Sequence, residues 1–309
     1  MTISYKPTIT RILVELGETN IRCAIWDGTD MRDIKVYQLE ESNSMADAID
    51  NYCKDIGFKR EAQMGLLMAI APQVKDGTYH FKHRPSWDFR PKDLLKDLGL
   101  ASVHILNDLE SHAWAVMGNT HMDDIVTVIN EGTPKSDGPI AVIAPGTGLG
   151  FAYVYPKLGY VQETFGAHMH FHGLGNKDPH FDAIQGDLLF PFTTFEDIVS
   201  GPGLKLMRER VGIEAADKYF NQVFGLFIHH SFMFAHALGG VVITGGLIPA
   251  LMKEGRIDWE LIKEQYHIRN IAAVNDAIDN LPLRVIDDPY LGLKGLIAWA
   301  QKRELRTGE

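Results

Sequence analysis

A strand–turn–strand unit that occurs twice constrains this chain more than any other feature. In the first copy the run Ile12-Leu13-Val14-Glu15-Leu16 enters the short turn Gly17-Glu18-Thr19-Asn20, and a second run, Ile21 to Trp26, leaves it for Asp27-Gly28. Two apolar runs around a Gly/Asn turn predict a β-hairpin. The second copy has the same layout: Ile140–Ala144, the turn Pro145-Gly146-Thr147-Gly148-Leu149-Gly150, then Phe151–Tyr155. A third strand ending in glycines is Val241-Val242-Ile243-Thr244-Gly245-Gly246. A duplicated hairpin predicts two related lobes facing one ligand. Length agrees, because 309 residues exceed the roughly 250–300 at which single cores stop growing.

The rest of the chain reads as alternating strands and helices. Helical spacing near Ser44–Ile56 precedes a buried-strand run, Met64–Ile70, ended by Ala71-Pro72. Pro91–Leu98 predicts a short helix, Val103–Leu106 a strand, and Leu109–Met117 another helix, with a lobe boundary near Met117. Ser200-Gly201-Pro202-Gly203-Leu204 reads as a turn opening a helix, Ser as cap and Pro in the turn. Tyr219–Leu238 predicts a helix apolar on more than one face, hence buried between layers. The most apolar stretch, Phe224–Met252, is broken by His229, His230, His236 and Gly239-Gly240, so a buried helix followed by a strand is expected, not a membrane span.

Charge and cysteine usage exclude several classes. A formal net charge of −10 disfavours a general binder of nucleic acid or anionic membranes, which needs a basic face. Backbone amides can still hold phosphate. Two cysteines, Cys23 and Cys53, form neither a zinc ribbon nor a disulfide framework. The opening Met-Thr-Ile-Ser-Tyr-Lys-Pro lacks the apolar core of a signal peptide. A reducing, cytoplasmic setting is expected.

Three groups could carry chemistry. A turn of Gly and Thr exposes backbone N–H groups, and such nests hold phosphate oxygens. Gly146-Thr147-Gly148-Leu149-Gly150 is the better candidate, and the absent side chain at Gly148 lets the backbone approach a phosphate. The alternative is a plain hairpin turn. A strand follows where a dinucleotide fingerprint has a helix, and no Gly-Lys-Ser/Thr of a Walker loop is present. Asp108, at the end of the Val103–Leu106 strand, sits where open α/β sheets place ligand-contacting residues. It could take a proton from a hydroxyl that attacks phosphorus, or it could cap the following helix. His168, His170 and His172 would share one face of a strand. Without a carboxylate or Cys at supporting spacing, a polar strand end is favoured over a metal site. Trp87 reads as core.

Taken in order, these pieces resemble the bacterial glucokinase family over nearly the whole chain. Gly17-Glu18-Thr19-Asn20 with Arg22 resembles the family's first phosphate hairpin, Asp-x-Gly-Gly-Thr-Asn-x-Arg. Ser86-Trp87-Asp88-Phe89 resembles Thr-Trp-x-Phe, and Leu106-Asn107-Asp108-Leu109-Glu110 resembles the Asn-Asp-Phe segment that holds sugar and the catalytic Asp. Gly146–Gly150 matches the second phosphate hairpin. Phe165-Gly166-Ala167-His168 falls where the family has Glu-Gly-Gly-His. Glu196, ahead of Ser200–Leu204, matches the last sugar-binding Glu. Gly239–Pro249 resembles the segment near the adenosine, and Asp288–Gly295 the segment that returns the chain to the first lobe. The cysteine cluster of the zinc-containing repressor/kinase group is missing.

The resemblance implies a two-lobed α/β, actin-like ATPase (ribonuclease H-like) fold with a cleft between lobes. Residues 1–117 with 290–309 would form the smaller lobe and 118–289 the larger. It implies ATP with Mg²⁺, a cytoplasmic glycolytic kinase acting on a small-molecule sugar, no nucleic-acid or membrane partner, and a homodimer as an allowed assembly. Asp108 would be the general base. Asn107, Asp108, His168 and Glu196 would bind sugar. Gly17, Thr19, Asn20, Gly146, Thr147, Gly148, Gly150, Gly245 and Gly246 would bind nucleotide. No metal-ligating side chains are implied. Three departures stand out: Glu15 replaces an Asp, Glu18 a Gly that faces phosphate, and Phe165 a sugar-binding Glu. They leave two alternatives open: a weak or inactive relative that senses sugar or nucleotide, or a kinase for an amino or N-acyl sugar whose apolar substituent packs on Phe165.

Overall fold

The computed structural model describes residues 10–71, 73–82, 84–118, 126–174, 193–265 and 272–306. The expectations at residues 1–7 and at Pro72 lie outside them. The chain divides into two compact units, residues 1–115 with 290–309, and 116–289.

The first unit is built on the first hairpin. Strand β1 (Arg11–Leu16) pairs antiparallel with β2 (Asn20–Trp26), which pairs with β3 (Met31–Gln38). On its other side β1 pairs parallel with β4 (Gly65–Ala69). A parallel neighbour needs a crossover, and helix α1 (Met45–Asp55) lies in it. Ser44 caps α1 by accepting the Asp47 amide, and Met45, Ala48, Ile49, Tyr52 and Cys53 form its buried stripe. That is the i, i+3, i+4, i+7 spacing of an amphipathic helix. A small hairpin follows, β5 (Gln73–Lys75) with β6 (Thr78–His80). Helix α2 (Pro91–Leu98) starts on Pro and ends on left-handed Gly99, the usual asymmetry of helix ends. Strand β7 (Ser102–Leu106) completes the sheet in the order β3-β2-β1-β4-β7. Trp87 is buried in this core, as expected.

Helix α3 (Asp108–Gly118) leaves the end of β7. The C-terminal helix, Leu291–Arg306, packs on β1, β2 and β4. Its approach to α3 is very close. The Ser111 hydroxyl donates to the Gly292 carbonyl at 2.6 Å, and a Cβ on Gly295 would fall inside the Ser111 carbonyl.

The second unit repeats the plan. Strands β8 (Val126–Asn130), β9 (Ile140–Pro145), β10 (Leu149–Tyr155) and β11 (Tyr160–Glu163) join a sheet ordered β11-β10-β9-β14-β15-β8. Between β11 and β14 come the short pair β12 (His170–Phe171) and β13 (Thr193–Thr194) and the helices α4 (Phe195–Ile198), α5 (Gly201–Val211) and α6 (Ile213–Ala235). Strand β14 (Gly240–Ile243), helices α7 (Leu247–Lys253), α8 (Trp259–Glu264) and α9 (Ala272–Asp279), and β15 (Leu283–Ile286) finish the unit. As in the first unit, an antiparallel hairpin (β9–β10) adjoins parallel strands (β9–β14–β15). The apolar stretch from Phe224 is the second half of α6, buried in places as far as Phe232 but with Met233 and Phe234 exposed, followed by β14, and among the described residues no helix is long and apolar enough to cross a membrane.

Helix α6 begins earlier than its apolar run. Its first turns are polar because Asp217 binds Arg208 Nε and Arg256 Nη1, each at 2.7 Å. That pairing ties α5, α6 and the segment before α8 together. The helix opening expected at Ser200 is present, with its hydroxyl accepting the Gly203 amide.

The contact at Gly295 sets a stability prediction. Gly295→Ala overpacks backbone against backbone and should cost about 3 kcal/mol, read as a lowered urea midpoint. Gly146→Ala, whose added Cβ would meet nothing within 4 Å, should change stability by under about 0.5 kcal/mol. Equal midpoints would refute the close approach.

Candidate active site

In the first unit the chemistry gathers at the ends of β1 and β7. The turn after β1 closes with the Gly17 amide donating to the Asn20 carbonyl at 2.9 Å. Asn20 Nδ2 donates to Thr19 Oγ1 at 3.1 Å. Gly17, Glu18 and Thr19 are exposed, so the turn is open to solvent, carboxylate included. Beneath it Glu15 and Arg22 face each other across the β1–β2 ladder, with Arg22 Nη1 at 3.8 Å from Glu15 Oε1.

Asp108 is the first residue of α3. Asn107 caps that helix: its Oδ1 accepts the Leu109 amide at 2.9 Å, and its carbonyl accepts the Ser111 amide. The capping role considered for Asp108 is therefore filled by its neighbour, since a cap precedes the first helical residue. Asp108 Oδ1 also accepts the Leu109 amide, at 2.8 Å. Burial pushes the Asp108 carboxyl above the ordinary aspartate range; His112 and the Leu109 amide oppose that shift, and Glu15 reinforces it. A raised carboxyl at a strand's carboxyl end is what a general base needs.

In the second unit the centre is the β9–β10 turn. Thr147 at its tip is exposed. The Gly146 amide donates to the Gly148 carbonyl, and the Gly146 carbonyl accepts the Gly201 amide at the start of α5, both at 2.8 Å. Glu196, on α4, accepts the Leu149 amide through Oε2 at 3.0 Å. Its other oxygen lies 3.6 Å from His168 Nδ1. Gly245, just past β14, abuts Pro145, and Gly246 precedes α7 over open space. Gly146, Thr147, Gly148, Gly150, Gly245, Gly246, His168 and Glu196 thus belong to one neighbourhood of this unit, while Gly17, Thr19, Asn20, Asn107 and Asp108 belong to the other unit.

One reading needs correcting. The three histidines do not share a strand face. His168 ends a 3-10 turn, Gly166–His168, and only His170 lies in β12. Among the described residues no group of three or more His, Cys, Asp or Glu is disposed to hold a metal. Gly148 has a further constraint, since its missing side chain faces Glu196: a Cβ there would lie 2.8 Å from Glu196 Oε2. That glycine admits the carboxylate that anchors the turn. Phe165 is 86% exposed, its ring stacked against His168 at 6.2 Å between centroids. The motif reading missed His112, whose Nε2 lies 3.7 Å from Glu15 Oε1. Its signal was its place four residues after Asp108, on one helix face.

Comparison with known proteins bears on both halves of this description. A sequence model of the family described as Glucokinase matches residues 12–216. The glucokinase of Colwellia psychrerythraea is 24% identical over 96% of this chain and 97% of its own length. Among solved structures, glucokinase from an Antarctic psychrotroph aligns with a TM-score of 0.78 at 19% identity, over 95% of this chain and 99% of that one. A glucokinase from Balamuthia mandrillaris, solved in complex with glucose, aligns with a TM-score of 0.70 at 18% identity, over 97% and 95%. These likenesses give the fold, which is the actin-like ATPase fold expected from the motifs.

The Gly148 contact is testable. Gly148→Ala should displace Glu196 and free the Leu149 amide, seen as faster hydrogen exchange at Leu149 while the fold's far-UV spectrum is kept. Unchanged Leu149 protection would show that Glu196 does not anchor the turn.

Proposed function

The chain belongs to the glucokinase family, and from that premise we propose that it transfers the terminal phosphoryl group of ATP to a hexose, glucose foremost, giving glucose 6-phosphate and ADP. The observation that carries this reading is Asp108, a carboxylate just past the end of β7 with its proton affinity raised by burial, on a helix whose cap is its neighbour Asn107. Asp108 takes the proton of the sugar hydroxyl as that oxygen attacks the terminal phosphorus. The new O–P bond forms while the bond to ADP breaks, and ADP leaves with the electron pair. Phosphoryl transfer asks little else of the protein beyond positioning and charge.

The β9–β10 turn supports the nucleotide half. Its exposed Thr147 and the open space over Gly146 fit a phosphate, and the Glu196 and Gly201 bonds hold the turn rigid. Thr19 and Asn20 on the first turn, and Gly245 and Gly246 after β14, would complete the contacts to ATP. Mg²⁺ enters with the nucleotide as part of the substrate and supplies positive charge to the phosphates. Asn107, His168 and Glu196 would bind sugar hydroxyls. A cytoplasmic, glycolytic role belongs to this reading.

Phe165 favours a second reading. An exposed ring beside His168 offers an apolar face where a carboxylate would accept hydroxyl hydrogen bonds, each worth about 1.5–3 kcal/mol to a charged acceptor. An amino or N-acyl hexose would use that face. Exposed Glu18 would oppose the phosphates and favours a weak or inactive sensor. A coupled ADP-release assay with MgATP and a panel including glucose and N-acetylglucosamine separates the three. Glucose turnover is expected, and Asp108→Asn should lower it by about 10²–10⁴-fold. Turnover of the N-acyl sugar alone would install the second reading, and no turnover with any hexose would install the sensor.

A further inference from the structure

Glu15 is buried, with 8% of its surface exposed, and its Oε2 has no hydrogen-bond partner among the described residues. A buried carboxylate left this way is costly unless a charge compensates it. Two basic side chains approach its other oxygen, Arg22 Nη1 at 3.8 Å and His112 Nε2 at 3.7 Å. Neither distance is a hydrogen bond, so Arg22 acts on Glu15 through charge, and His112 does so when protonated. Gly292 presses on the same carboxylate: a Cβ there would lie 2.5 Å from Glu15 Cδ. The side chain is thus wedged toward α3. On α3, His112 stands one turn beyond Asp108, the spacing that puts two helical side chains on one face.

Resting on the kinase reading above, we propose that His112 is a positioning residue for the base: it bridges Glu15 of β1 and Asp108 of α3, and its charge decides how readily Asp108 is ionised. The charged groups that act on Asp108 are His112 on its own helix and Glu15 on β1, with Arg22 of β2 reaching the cluster through Glu15. Glu110, also on α3, is engaged by the Trp114 indole at 3.1 Å. The C-terminal helix brings glycine to the contact, and its nearest ionisable residue in sequence is half-buried Lys294. Without His112, two carboxylates would crowd one partly desolvated place with Arg22 alone to balance them. Like charges in such a place resist ionisation, and an opposite charge favours it.

The device predicts shifts of opposite sign at one carboxyl. Asp108 is followed by ¹³C NMR of side-chain-labelled aspartate in the whole chain, assigned with Asp108→Asn, as pH is varied. His112→Gln should move the Asp108 midpoint up by about one unit, because a cation is lost. Glu15→Gln should move it down, because an anion is lost. His112→Lys, which restores the charge, should return the midpoint toward the wild-type value. A structural role for His112 would give none of this pattern. Should the Asp108 midpoint be the same in wild type and both Gln variants, with far-UV spectra unchanged, the proposal is overturned. The acid limb of hexose-dependent ADP release should follow the NMR midpoint in each variant, and an acid limb that ignores these midpoints also overturns it. Midpoints that move as expected in a protein that turns over no hexose support the His112 device and refute the kinase reading instead.

Discussion

The C-terminal helix reaches β1 and α3 at a separation that only glycine permits. Gly295 lies against the Ser111 carbonyl, Gly292 accepts the Ser111 hydroxyl through its own carbonyl, and its α-carbon leaves room for the Glu15 carboxylate. Any side chain at those places would push α3 away from the sheet. Close packing transmits such a shift because interiors do not compress. The position of Asp108 at the start of α3, the burial of Glu15 and the approach of His112 all follow from that contact. The residues proposed for chemistry in the first unit are held by a backbone contact made almost entirely by residues with no chemistry of their own.

The second unit uses a different device for the same need. A turn that is to receive a ligand must be exposed, yet it must not fray. Here the carboxylate of Glu196 holds the Leu149 amide, and the first amide of α5 holds the Gly146 carbonyl. Both anchors come from below the turn and leave its tip, Thr147, in solvent. One of the two oxygens of Glu196 is spent on the turn, and the other faces His168. A residue that the family motif implies for sugar is in this way also part of the frame under the turn proposed to hold phosphate.

Much of this was legible in the sequence because it rests on local rules. Both hairpins announced themselves by apolar runs around glycine turns, and α2 by its Pro start and Gly end. Strand β3 was not legible: Arg32, Asp33 and Lys35 interrupt it, and only its pairing with β2 at the sheet edge makes it a strand. The polar opening of α6 was hidden for a similar reason, since Asp217 is satisfied by arginines 9 and 39 residues away in the chain. At the site, motif letters placed Asn107, Asp108 and Glu196 but not their division of labour. Which of two adjacent residues caps a helix, and which is left for chemistry, depends on backbone geometry that letters do not carry. The same holds for Gly148, whose neighbour Glu196 is distant in the chain.

Asp108 is half-buried, its carboxyl is raised, and in the proposed role that placement is kept for chemistry at a cost in stability. A carboxyl raised in the folded state holds its proton where the unfolded chain has already lost it, so stability falls as pH rises from the ordinary aspartate range through the raised folded value. Asn at this position keeps the acceptor for the Leu109 amide and removes the buried charge. Thermal unfolding of wild type and Asp108→Asn between pH 4 and 8 tests this directly. Asp108→Asn should melt higher at pH 7 and above, with the gain shrinking toward acid as Asp108 becomes protonated in both states. A variant that melts lower than wild type at neutral pH would show that the Asp108 carboxylate stabilises the fold, and would contradict it.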